Sequence, residues 1–98
     1  MIVAVVGLGL IGGSLAKAYK EAGWTVYGYD LNESVSCFAQ LEGTLDAVLD
    51  SSNIKKCDLI HIAVTPDAAC GWINAHAPEI AKSTVVIDDC GTKRKIVE

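Results

Sequence analysis

Residues 2–14 read Ile2-Val3-Ala4-Val5-Val6-Gly7-Leu8-Gly9-Leu10-Ile11-Gly12-Gly13-Ser14. The five apolar residues at the start, four of them β-branched, predict a short buried strand. The glycines predict a tight turn. Beyond the turn, Ile11, Leu15, Tyr19 and Ala22 fall on one stripe of an amphipathic helix, and Gly23 supplies its stop. Gly7 is expected to permit the strand-to-helix turn, Gly9 to let the backbone approach a pyrophosphate with no Cβ in the way, and Gly12 to let the helix pack closely. The amides of Leu10 and Ile11, at the positive end of the helix dipole, then face phosphate oxygens, with the Ser14 hydroxyl nearby.

A G-x-G-x-x-G turn alone is weak, because glycine-rich turns are common. Its context here is specific. A second β-branched and aromatic run, Thr25 to Tyr29, is closed by Asp30, which stands 18 positions beyond Gly12. A carboxylate at that place accepts both ribose hydroxyls of an adenosine and repels a 2′-phosphate. Leu31, Asn32 and Glu33 supply no arginine to hold such a phosphate. NAD is therefore expected over NADP.

The rest of the chain repeats the alternation. Leu59 to Val64 and Thr84 to Asp88 read as further buried strands, and Gly43 to Ala47 as a weak one. Val35, Phe38 and Leu41 suggest a short helix begun by Asn32 or Ser34. Ala69, Trp72, Ile73, His76 and Ile80 suggest a longer one opened at Pro66-Asp67 and broken near Pro78. The expected fold is α/β: a Rossmann-like doubly wound parallel sheet of three layers, strand order 3-2-1-4-5, with a sixth strand missing and the ligand crevice between strands 1 and 4.

Ligands of such sheets bind at the carboxyl ends of the strands. Val64, Thr65 and Pro66 follow the fourth strand, and their backbone is placed to line the nicotinamide side of the crevice; Thr65-Pro66 reads equally well as a strand exit and helix start. Cys90, Thr92 and Lys93 follow the fifth strand and offer a thiol, a hydroxyl and a cation near the reacting carbon. His61 is expected to be a packed or hydrogen-bonded core histidine, His76 a half-buried helix residue, and Trp24 and Trp72 packing residues.

Composition narrows the function classes. The 98 residues make one domain; 51% are hydrophobic and 20% charged, as a packed globular core requires. Eight Lys and Arg against twelve Asp and Glu give a net charge of −4, which argues against nucleic-acid or anionic-membrane partners. Cys37, Cys57, Cys70 and Cys90 form no C-x-x-C pair and have no histidine at metal-ligand spacing, so no metal is expected. The start has no basic region or cleavage-like segment, and the expected compartment is the cytoplasm.

GLGLIGGSLAKAY, GYDLN, CDLIHIAVTP and VVIDDCGTKRKIV together resemble the nucleotide-binding domain of the prephenate and arogenate dehydrogenase family of tyrosine biosynthesis. The resemblance covers nearly the whole chain. It implies NAD-dependent oxidative decarboxylation of prephenate to 4-hydroxyphenylpyruvate, in which carbon dioxide leaves and the ring becomes aromatic. It makes Thr92 the hydroxyl residue near the substrate. The family's proton-accepting histidine, in an HP-x-AG-like segment, and its substrate-binding, dimer-forming helical domain have no counterpart here. Residues 1–98 are thus expected to be a cofactor domain, inactive alone, of a homodimeric enzyme. The remaining alternatives are arogenate as substrate, a dehydrogenase or reductase of the 3-hydroxyisobutyrate or 6-phosphogluconate type, and a stand-alone nucleotide sensor.

Overall fold

The computed structural model of the chain describes residues 1–88, apart from the side chains at positions 10, 11, 66 and 88. Among these residues five strands, β1 (Ile2–Val6), β2 (Thr25–Tyr29), β3 (Ala47–Val48), β4 (Leu59–Ile62) and β5 (Val85–Asp88), form one sheet in the order β3-β2-β1-β4-β5. Every pairing is parallel. This is the expected Rossmann-like order. The helices are α1 (Leu10–Glu21), α2 (Glu33–Leu41) and α3 (Pro66–His76), with single 3-10 turns at Ile54–Lys56 and Ala77–Glu79.

Right-handed crossovers that run one way from β1 to β3 and the other way from β4 to β5 put helices on both faces of the sheet. Alternate residues of β1 supply the two cores. Val3 and Val5 join Leu8, Ala16, Val26 and Leu45, against which Tyr19, Trp24, Val35 and Ala39 pack from the α1 and α2 side. Ala4 and Val6 join Ile60, Ile62, Ala69 and Trp72 on the α3 side, where Leu49, Ile54 and Cys57 close the end. Burial pushes the Cys57 thiol up to about 11, with Asp58 adding to the effect, so it is an inert core residue at neutral pH.

Several local readings change. The weak strand expected over Gly43 to Ala47 is two residues, Ala47–Val48, because the preceding leucine is needed as packing: Leu45 is buried against Gly28 of β2. Backbone bonds from Asp46 N to Val26 O and from Leu49 N to Gly28 O, both 2.7 Å, fix the register. β4 ends at Ile62 rather than Val64, although Ala63 N still bonds Val6 O at 2.8 Å. In α2, Phe38 and Leu41 are 64% and 86% exposed, so the face they suggested is not the buried one; Val35, Ser36 and Ala39 carry it. Asn32 does start α2, accepting from Ser34 N at 3.0 Å. The break near Pro78 is present at His76–Ala77.

Asp46 ties α1 to the β2–β3 edge. Lys20 Nζ donates to its Oδ1, and Val26 N donates to its Oδ2 at 2.8 Å. The Lys20 hydrogen bond, then the Val26 amide, hold its carboxyl below the ordinary value. A depressed folded value stabilises the fold above the unfolded pKa, about 3.9, and the contribution is lost as pH falls through the folded value. Because the pair is exposed, its worth at neutral pH is under about 1 kcal/mol. Urea melts of Asp46→Asn are expected to fall less than wild type between about pH 5 and pH 3. Parallel curves would remove Asp46 from the acid response.

Candidate dinucleotide-binding site

The carboxyl ends of β1, β2 and β4 meet at the loop Gly7-Leu8-Gly9. Gly7 has φ +97°, and a Cβ there would stand 2.5 Å from Val64 Cγ1 and 2.6 Å from Ala63 O. Its amide donates to Tyr29 O at 2.7 Å. Only glycine fits, since both the backbone sign and the neighbouring chain exclude a side chain. Gly12 is tighter still: its Cβ would lie 1.7 Å from Gly7 O. The expected close packing is therefore of α1 on the loop backbone itself, with Val5 Cγ1 next at 3.2 Å.

Gly9 differs in kind. It is the N-cap of α1, no side chain caps it, and a Cβ there would meet nothing within 4 Å. The first intrahelical bond runs from Gly13 N to Gly9 O at 2.7 Å, so the amides from Gly9 to Gly12, including those of Leu10 and Ile11, precede the helical ladder. The first turn of α1 contains no acidic residue. Open space, amides outside the helical ladder and the positive end of a helix dipole are what an anion-binding concavity requires.

Asp30 sits at the end of β2 and faces this loop. Its Oδ2 accepts from Leu8 N at 2.8 Å, and its Oδ1 accepts from Asn32 N at 2.9 Å. Helix α2 is capped by Asn32, not by Asp30. Each carboxylate oxygen retains a second lone-pair site, so the side chain can brace the glycine loop and still take hydroxyl donors.

Gly7 and Asp30 line a cavity of about 350 Å³ together with Val6, Tyr29, Leu31 and Val64. The other wall is α3, through Ala68, Gly71, Trp72, Ala75 and His76. That volume is at the small end of ligand pockets, roughly 300–1,000 Å³. The wall from α3 was not anticipated. Its signal was the small residues Ala68, Gly71 and Ala75, spaced three and four apart.

The structure brings Gly7, Gly9, Gly12, Asp30, Val64 and the amides of Leu10 and Ile11 to one end of the sheet. Thr65 has another job: its hydroxyl caps α3, accepting from Ala68 N at 3.4 Å, and Pro66 is the first helical residue. Ser14 is exposed and lines, together with Leu8 and Gly9, a groove between α1 and α2. His61 is buried and bonds Tyr19 OH through Nε2 at 2.8 Å, in the role expected for it. Cys90, Thr92 and Lys93 lie outside the described residues. Among the described residues no group of three His, Cys, Asp or Glu side chains is placed to hold a metal, and no helix is long and apolar enough to cross a membrane.

A family model described as the nucleotide-binding domain of prephenate dehydrogenase matches residues 15–98. The prephenate dehydrogenase of Bacillus subtilis (strain 168) is 31% identical over 101 residues, covering 98% of this chain and 27% of that protein. Synechocystis arogenate dehydrogenase superposes with a TM-score of 0.83 at 26% identity, covering 90% of this chain and 32% of that one. Prephenate dehydrogenase from A. aeolicus, solved in complex with hydroxyphenyl propionate and NAD+, gives 0.78 at 22% identity over 90% of this chain and 32% of that one, a likeness of fold alone. The chain thus spans about a third or less of the length of these proteins. The glycine loop lies ahead of the family-model match and stands on its own geometry.

Proposed function

This chain belongs to the prephenate dehydrogenase family, as its nucleotide-binding domain, and from that premise we propose that it binds NAD within a longer enzyme that oxidatively decarboxylates prephenate. The observation that carries the reading is Asp30, held by Leu8 N at 2.8 Å beside the open face of Gly9. In this assignment the amides at the start of α1 take the pyrophosphate. Asp30 takes the adenosine ribose hydroxyls and repels a 2′-phosphate, which favours NAD over NADP. Val64 lines the cavity on the adenosine side, beside Gly7, and Thr65 and Pro66, next along the chain, are assigned the path toward the nicotinamide. When bound, NAD supplies the hydride acceptor.

Thr92 is assigned the hydroxyl next to the substrate. The proton acceptor is assigned to a histidine segment that follows the fifth strand, the groups for the substrate carboxylates to a helical domain beyond it that also makes the homodimer, and the compartment is the cytoplasm. Arogenate is the second reading, favoured by the likeness to the Synechocystis enzyme.

Calorimetric titration of the 98-residue chain is expected to show weak NAD binding and weaker NADP binding, with no turnover of prephenate or arogenate. Measurable turnover by the chain alone would show that its own residues suffice for the chemistry. Tighter binding of NADP than NAD would remove Asp30 from the ribose.

A further inference from the structure

His76 ends α3 and lines the same cavity as Asp30. Its ring is fixed from two sides. It lies against the Trp72 indole, with ring centroids 4.9 Å apart and planes at 38°. Its Nδ1 is 2.7 Å from Glu79 Oε1. The helix break produces this contact: the 3-10 turn Ala77–Glu79, with Pro78 inside it, brings Glu79 back to the residue three before it. Hydrogen bonds from His76 first, and then from Ser51, hold the Glu79 carboxyl below its ordinary range. A carboxylate only accepts, so Nδ1 must be the donor. In the neutral ring Nε2 then carries a lone pair and accepts.

We propose that His76 reads the purine base: its Nε2 accepts a hydrogen bond from the 6-amino group of an adenine seated in the cavity, which makes the site selective against 6-oxopurines. This inference rests on the dinucleotide reading and adds a specificity-determining residue to it. Asp30 is assigned the ribose hydroxyls, and the base is joined to that same ribose, so the base shares the cavity that Asp30 lines. Leu31, Val64 and Ala68 offer apolar surface to its faces but no side-chain polar atom to its edge. Tyr29 also lines the cavity, but a phenol both donates and accepts and so does not discriminate. An imidazole whose other nitrogen is pinned by a carboxylate does. A 6-oxo group would set one lone pair against another, leaving two acceptors unpaired.

The test is a titration of the chain with NAD and with its hypoxanthine analogue, for wild type, His76→Leu and Glu79→Ala. Wild type is expected to favour NAD by about five- to tenfold, the range of one hydrogen bond gained against one lost. In His76→Leu the ratio falls to near one, while NAD itself weakens by less than about tenfold because the apolar walls remain. In Glu79→Ala the tautomer is no longer pinned, and the ratio falls between the two. If His76→Leu does not fold, judged by its urea melt, Glu79→Ala carries the test alone. NAD binding by wild type with a ratio near one, or a ratio unmoved in the variants, overturns the role of His76 and leaves the dinucleotide site standing. Binding of neither compound by wild type overturns the dinucleotide reading and this inference with it.

Discussion

Gly12→Ala is expected to destabilise the domain by about 3 kcal/mol or more and to abolish dinucleotide binding. The new methyl would overlap Gly7 O at 1.7 Å and Gly7 C at 2.8 Å, and these are backbone atoms that cannot rotate aside. Nor can the loop retreat. Gly7 is tied to Tyr29 O at 2.7 Å and abuts Ala63 and Val64. The remaining escape is to lift α1 off the sheet, which uncovers Ala16 and the valines of β1 beneath it.

Two neighbouring glycines serve as controls. At Gly13 the nearest atom to an added Cβ is Leu8 O at 3.5 Å, an ordinary contact, and alanine in a helix interior gains roughly 0.5–1 kcal/mol over glycine. At Gly9 nothing lies within 4 Å, so alanine meets no clash and costs only what a poorer N-cap costs, about 1 kcal/mol or less, while it weakens NAD binding by occupying the space assigned to phosphate. A Gly12→Ala variant that melts like wild type would refute the close approach.

Asp30→Ala is expected to weaken NAD binding by about a hundredfold or more, since two hydrogen bonds to a charged group, each worth about 1.5–3 kcal/mol, are removed. Stability should also fall, by about 1–2 kcal/mol, because the amides of Leu8 and Asn32 lose their acceptor. NADP responds differently. Removing the carboxylate relieves its repulsion of the 2′-phosphate, so the ratio of NADP to NAD affinity should rise by more than about tenfold. Competitive titrations of the two cofactors on wild type and variant separate the effects: a stability loss with an unmoved ratio would leave Asp30 a brace of the glycine loop and nothing more.

The parts of the fold legible in the sequence are those whose residues see the same environment along their length. β1 is buried along nearly all its length, and β2, buried at Val26 and Gly28 and half-buried at Tyr27 and Tyr29, pairs with it residue for residue; their runs, Ile2 to Val6 and Thr25 to Tyr29, mark their ends to the residue. Asp30 was legible because a fixed geometry links the glycine turn to the end of the neighbouring strand. β3 was not, since two residues carry no periodicity and its place is set by the packing of Leu45 on Gly28. The face of α2 misled for a simple reason. Three residues advance a helix by about 300°, so Val35, Phe38 and Leu41 drift by about 60° per step and do not form a stripe. The α3 wall of the cavity depends on how that helix crosses the ends of the strands, which is a property of the packed sheet and not of the helix.

The position of β1 also fixes the order in which the molecule can be finished. β1 emerges first, yet it is the middle strand, pairing Ile2 with Thr25 on one side and Val3 with Leu59 on the other. During synthesis at 5–20 residues per second, the second of those partners follows it by roughly 3 to 11 s. Until then one edge of the central strand is bare, and Gly7 lacks the Ala63–Val64 backbone that confines it. A nascent chain holding only the first two strands carries every glycine of the loop and Asp30 but not the finished cradle. On the proposed site, nucleotide is expected to stabilise the chain only after β4 has docked, as a latch on the completed sheet and not as a template for building it.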